Sequence, residues 1–266
     1  MGNITLGRYI PMDSPIHKMD PRAKILAMLF ILIAIFFPVG WIGYAVLFAI
    51  VSFVIIIAKL KFNFIWRSMK PMLFMLFFLL IINSLATKTG KPLFSIGTLV
   101  IYSDAILNTL YIAVRLLLMI MITTCLTATT KPLEMTLGIE DLLMPFSKIG
   151  VPAHEIAMLI SIALRFIPDL IDETQRIMKA QESRGVDLKE GKIKEKIMAI
   201  LSLIVPLFVS AFQRAEDLAN AMEARGYVPG EERTRYKVLK MHMRDYILLF
   251  GALIILVGMI ILSRLV

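Results

Sequence analysis

Six stretches of this chain run for fifteen or more residues with at most one charge each: 23–37, 41–58, 71–86, 105–128, 246–262 and, set apart by its charged surroundings, 197–212. A lipid interior offers no water to pair backbone N–H and C=O groups, so runs of this kind read as membrane helices. The first is short against the roughly 20 residues a bilayer asks for, but its basic flank can snorkel toward the headgroups. Composition agrees: 58% of residues are hydrophobic and the mean hydropathy is +0.79, well above a soluble domain. The expected fold class is all-α, a polytopic membrane protein with about five transmembrane helices.

The segments between these runs differ in kind. Pro38 to Gly40 makes a tight break, and Lys59, Lys61, Arg67 and Lys70 read as a basic loop. Residues 88–103 are polar and contain glycine, so they too read as a loop. Residues 129–151, with Pro132, Pro145 and Gly150, suggest one short helix between turns. Two long patterns follow, with apolar residues every three to four positions over 152–183 and 192–226. Pro168 and Pro206 fall inside them and each removes a backbone donor. A charged linker, 229–244, leads to the last apolar run.

Lys and Arg placement sets the expected topology. Lys18 and Arg22 precede the first run and Lys24 stands at its start, four cations separate the second from the third, and many lie in 131–244. With the N-terminus in the cytoplasm every loop is satisfied, which gives an N-terminal membrane part (1–128), a cytoplasmic or interfacial part (129–244) and a final span (245–266). Residues 197–212 carry no charge and compete as a span. They number only 16 and contain Pro206, and a crossing there would put two matching motifs on opposite sides of the membrane. A helix lying on the membrane surface against its partner is the expected placement. The net charge of +9 fits anionic lipid better than nucleic acid. The single cysteine, Cys125, lies in an apolar run, which excludes a disulfide framework or a cysteine metal cluster. No cleavage pattern follows the first run, so it is expected to act as an uncleaved signal.

The two matching motifs are Ala180-Gln181-Glu182-Ser183-Arg184-Gly185 and Ala221-Met222-Glu223-Ala224-Arg225-Gly226, with their arginines 41 residues apart. Each closes one of the long helical patterns. Gly supplies the left-handed residue that ends a helix, and a cation in the last turn suits the helix dipole. Capping does not require the Ala, the Glu or the small residue before Arg, yet both copies have them. A small residue lets a helix end approach another backbone, and Arg offers a forked, permanent charge. Two like plugs imply two like sockets, as a homodimer or a pair of homologous subunits would supply.

No nucleotide-binding loop accompanies them, since Gly90-Lys91-Pro92 lacks the hydroxyl and the spacing. His154-Glu155 has no second histidine at helical spacing, so it reads as a polar helix start, not a zinc site. No metal ligand set and no catalytic constellation stand out.

The chain resembles the transmembrane T component of energy-coupling factor transporters, prokaryotic importers of vitamins and metal ions. The resemblance rests on His17-Lys18-Met19-Asp20-Pro21-Arg22-Ala23-Lys24, on Leu164-Arg165-Phe166-Ile167-Pro168, and on the two Arg-Gly endings. Ser183 stands where the family commonly has Ala, and a small residue is kept. The resemblance implies a scaffold in a prokaryotic cell membrane. It would join a membrane-embedded substrate-binding S component to two ABC-type ATPases, identical or not, which bind the ATP. The chain itself would carry no cofactor and no catalytic residue. Arg184 and Arg225 would anchor the ATPases, with Ala180, Glu182, Ser183, Gly185, Ala221, Glu223, Ala224 and Gly226 shaping each plug. The transported solute would be set by the S component.

Arg115 lies within the fourth run. A membrane-embedded charge suggests function by default, but pairing with a backbone carbonyl, Asn108 or Asn83 gives it a structural role, and pairing is expected. The 18 methionines suit ordinary core and lipid contact, and their flexibility also suits a surface serving exchangeable partners. Two other classes compete. A self-contained secondary transporter would need inverted repeats and a polar mid-membrane site. A membrane-embedded enzyme would need clustered acids or histidines near the membrane face.

Overall fold

The computed structural model describes residues 9–86, 89, 92–96, 99–149, 152–186, 193–228 and 238–265. Lys88, Gly90, Lys91, Gly150 and residues 229–237 of the charged linker lie outside them. Eight α-helices account for most of the described chain: α1 (Pro21–Phe36), α2 (Gly40–Ile57), α3 (Phe62–Ala86), α4 (Ser103–Thr129), α5 (Pro132–Leu143), α6 (Ala153–Ser183), α7 (Ile193–Ala224) and α8 (Met243–Leu265). A 3-10 turn, Met144–Ile149, extends α5. The fold is all-α apart from one two-stranded ribbon.

That ribbon corrects the expectation of a plain loop at 88–103. Strands β1 (Pro92–Ile96) and β2 (Leu99–Tyr102) pair antiparallel, with Phe94 opposite Ile101 and Ile96 opposite Leu99. A register shift between Pro92 and Phe94 fits a proline that cannot donate to the ladder. A second correction concerns the basic loop. Helix α3 begins at Phe62, so Arg67 and Lys70 lie on its first turns instead of in a connection. Ile65, Met69 and Met72 recur at helical spacing and turn inward, which is why the helix starts before the apolar run does. The α2–α3 connection is correspondingly tight, with Lys59 taking a left-handed φ of 57°.

Five described helices are long and apolar enough to cross a membrane: 40–57, 63–83, 103–129, 194–224 and 243–264. The number matches expectation but the membership does not, because α7 qualifies by length and composition and α1 falls short. Helix α1 has 16 residues, about 24 Å of rise. It sits within the packed core, with Ala23, Ala34 and Ile35 fully buried against helices that include α4 and α8. Leu29, Ile33 and Phe36 stay exposed on its other face, so α1 is packed along one side only.

The described residues divide into two compact units, 1–153 with 239–266, and 154–238. The first holds α1–α5, the ribbon and α8. Its core joins Ala34 and Ile35 of α1, Leu47 and Val51 of α2, Leu118 and Met121 of α4 and Ala252 of α8. Tyr44 is buried, and its hydroxyl donates to the carbonyls of Ile35 (3.0 Å) and Phe37 (3.4 Å), occupying acceptors that the end of α1 leaves open. The second unit consists of α6, α7 and their flanks.

Candidate functional site

The two Arg-Gly endings fold into the same shape. In α6, the Val186 N–H donates to Gln181 O at 3.0 Å and the Gly185 N–H to Glu182 O at 3.0 Å. In α7, the Tyr227 N–H donates to Met222 O at 2.9 Å and the Gly226 N–H to Glu223 O at 2.8 Å. This pair of bonds is the Schellman ending, which needs a left-handed residue just past the helix. Gly185 and Gly226 supply it, with φ of +84° and +69°. A Cβ built on either glycine would meet nothing within 4 Å, so within this chain the backbone angle, not crowding, requires glycine.

All ten plug residues are exposed: Ala180, Glu182, Ser183, Arg184, Gly185, Ala221, Glu223, Ala224, Arg225 and Gly226. Ser183 donates back to Lys179 O at 2.9 Å. Arg184 and Arg225 make no side-chain hydrogen bond or ion pair among the described residues.

Helices α6 and α7 are joined by a few polar bonds. Arg214 reaches Asp169 at 3.6 Å and Glu173 at 3.4 Å, and the Gln181 side chain donates to Ser202 O at 3.3 Å. As α6 advances from 169 to 181 its partners on α7 retreat from 214 to 202, so the two helices run in opposite directions. The contacts centre near residue 175 of α6 and residue 208 of α7. From there Arg184 is about 14 Å along one helix and Arg225 about 26 Å along the other, at 1.5 Å per residue. The endings point away from the crossing on opposite sides, up to about 40 Å apart.

Both helices present apolar side chains that nothing in their unit covers. Leu159 on α6 and Ile197, Met198, Val205, Phe208 and Phe212 on α7 are all exposed. A soluble helix pair would not leave such a surface open.

In the first unit the charges do the opposite. Asp20 caps α1, accepting from the Arg22 N–H at 2.9 Å. The Arg22 guanidinium forks onto both Asp20 oxygens at 3.0 and 2.9 Å and reaches Asp141 of α5 at 3.2 Å. Gly138 lets α5 come this close, since a Cβ there would lie 3.1 Å from the Pro21 side chain. Burial alone would raise the Asp20 pKa, but the hydrogen bonds and charge of Arg22 outweigh it and hold the carboxyl below its ordinary value. Lys24 donates to Thr129 O at 3.1 Å, placing a cation on the carbonyl end of α4. Asp245, buried in the first turn of α8, accepts from the Asp20 N–H at 2.9 Å and the His242 N–H at 2.7 Å. The N-termini of α1 and α8 are thus pinned together and the two helices run parallel. The Asp20-Pro21-Arg22 stretch stands out in the sequence but its role does not, because its partners Asp141 and Asp245 are far away in the chain.

Arg115 lies half-buried against the end of α1. It donates to Tyr44 Oη at 3.1 Å and to Phe36 O at 3.3 Å, and its guanidinium lies 5.8 Å from the ring centroids of Phe36 and Tyr111. A cation on the last carbonyls of a helix complements the dipole. Asn83 is engaged elsewhere, donating to Thr109 Oγ1 at 3.0 Å. Among the described residues no group of three or more His, Cys, Asp or Glu could hold a metal ion.

A mainly helical, multi-pass membrane protein with a repeated, exposed helix ending is a narrow class, and similarity to known proteins narrows it further. The CbiQ family, described as cobalt transport protein, matches residues 12–236. The energy-coupling factor transporter transmembrane protein EcfT of Clostridium kluyveri is 46% identical over 265 residues, covering 98% of this chain and 97% of that protein. Its counterpart in Macrococcus caseolyticus is 45% identical over 92% of each chain, and that of Bacillus subtilis 42% over 92% of each. The chain belongs to this family, the transmembrane T components of energy-coupling factor transporters, and is a multi-pass protein of the cell membrane.

Proposed function

We propose that this chain is the non-catalytic coupling scaffold of its transporter, docking two ABC-type ATPases through Arg184 and Arg225 and holding a substrate-binding S component on the apolar faces of α6 and α7. The observation that carries the reading is the pair of like endings, each exposed and each presenting an arginine without a partner among the described residues. An exposed, unpaired, pre-shaped cation is a docking element waiting for its acceptor. The separation of up to about 40 Å supports two sockets on two subunits. ATP binds in those subunits, and their closure shifts the two endings relative to each other. Helices α6 and α7 act as levers that tilt the S component, which carries a vitamin or metal ion. The N-terminus and both endings lie in the cytoplasm, and α7 lies along the membrane face.

The test is charge reversal with both partners coexpressed. The double variant Arg184→Glu, Arg225→Glu should lose uptake and release the ATPases on purification, with each single variant losing less. Intact ATPase pairs copurifying with the double variant would overturn the reading.

A further inference from the structure

A cleft of about 710 Å³ opens beside the first turns of α3, where Lys61, Arg67 and Lys70 meet Asn63, Trp66 and Ile10 of the N-terminal segment. None of these three cations has a carboxylate partner among the described residues. Three cationic side chains gathered around one concave surface, at the N-terminal and therefore positive end of a long helix, call for an anion.

The rest of the helix says which anion. Asn63, Trp66, Arg67 and Lys70 share one face of α3, while Ile65, Met69 and Met72 turn into the core. The outward face continues along the helix as Phe74, Phe77, Phe78 and Ile81, all exposed. Charge at one end and a bare aromatic ladder at the other match a molecule with an anionic head and long apolar tails. Trp66 sits among the cations at that end, lining the same cleft, and tryptophan favours the level of lipid headgroups. We infer that this cleft binds the headgroup of an anionic phospholipid, whose acyl chains lie along Phe74, Phe77 and Phe78. The inference rests on the chain spanning the membrane and is independent of ATPase docking.

The chain has two tryptophans, so a Trp41→Phe background leaves Trp66 as the only reporter. The full chain is placed in phosphatidylcholine vesicles, with a small fraction of the lipid replaced by brominated phosphatidylglycerol or by brominated phosphatidylcholine. The anionic lipid should quench Trp66 at a lower mole fraction than the zwitterionic one. Each of Lys61→Gln, Arg67→Gln and Lys70→Gln should raise the mole fraction needed about fivefold at low salt, and the three together should abolish the preference. The charge-keeping set Lys61→Arg, Arg67→Lys, Lys70→Arg should retain it, which separates charge from folding. Equal quenching by the two lipids would overturn the inference. Loss of the preference on adding inorganic phosphate would assign the cleft to a free anion and overturn it as well. A triple glutamine variant that keeps its lipid preference but releases the ATPases would assign the cations to a protein partner, which also overturns it.

Discussion

The cluster around Arg22 and the endings around Arg184 and Arg225 use the same side chain in opposite ways. Arg22 is mostly covered, forked onto Asp20 at the cap of its own helix and tied to Asp141 of α5, and every link stays within the fold. Arg184 and Arg225 sit on equally well-formed helix termini and touch no acidic partner among the described residues. A charge satisfied within the chain contributes to the fold, whereas one left open on a rigid support is available to another molecule. The same substitution should therefore give opposite readouts in the two places.

Reversal of Arg22 is the largest expected effect. Arg22→Glu sets a carboxylate beside buried Asp20 and near Asp141, and losing a partner from a buried pair costs about 3–5 kcal/mol. The variant should fail to accumulate as folded protein, or should melt far below wild type in detergent. Arg184→Glu should leave the melting temperature of the isolated chain unchanged within about 0.5 kcal/mol of stability while releasing the ATPases.

Next come the two glycines. Ala at a left-handed position costs about 1 kcal/mol, so Gly185→Ala and Gly226→Ala should each lower stability by that amount and by similar amounts. Neither added Cβ meets an atom of this chain. A larger loss in ATPase affinity than in chain stability would reveal a partner's backbone pressed against the glycine, and equal losses would argue against close contact.

Titration separates the regions further. The Asp20 carboxyl is held below its ordinary pKa of 3.8 in the folded chain, so its contribution is present above that value and is lost as pH falls through the folded pKa. Thermal melts of wild type and Asp20→Asn should differ at neutral pH and converge under acid. A difference that persists in acid would mean the Arg22 pairing is not its source. The smallest effect belongs to Arg214, which is partly exposed in its pairing with Asp169 and Glu173. Arg214→Met should cost about 1 kcal/mol or less in stability.

Much of the fold is legible in the sequence, for physical reasons that also mark where legibility ends. Helices α6 and α7 show because 3.6-residue periodicity is local, and their endings show because Gly after a cationic residue is a local signal. The start of α3 is hidden because Arg67 and Lys70 face outward, and their charges mask the inward row of Ile65, Met69 and Met72. The β1–β2 ribbon is hidden because its strands, Pro92–Ile96 and Leu99–Tyr102, are short apolar runs that are too brief to show a period. The bond from Asp20 N–H to Asp245 spans 225 positions, and no local rule reaches that far. Arg115 is recognisable as a costly charge, but its acceptor, the carbonyl of Phe36, becomes available only where α1 ends.

Whether two like endings enter two like sockets is tested most directly by a photo-crosslinking residue placed at Ser183 or at Ala224. In the assembled transporter in cells, both positions should capture the same region of an ATPase, each on a different subunit. Capture of lipid or the S component from either position, or capture of an ATPase from one ending alone, would contradict docking through both arginines.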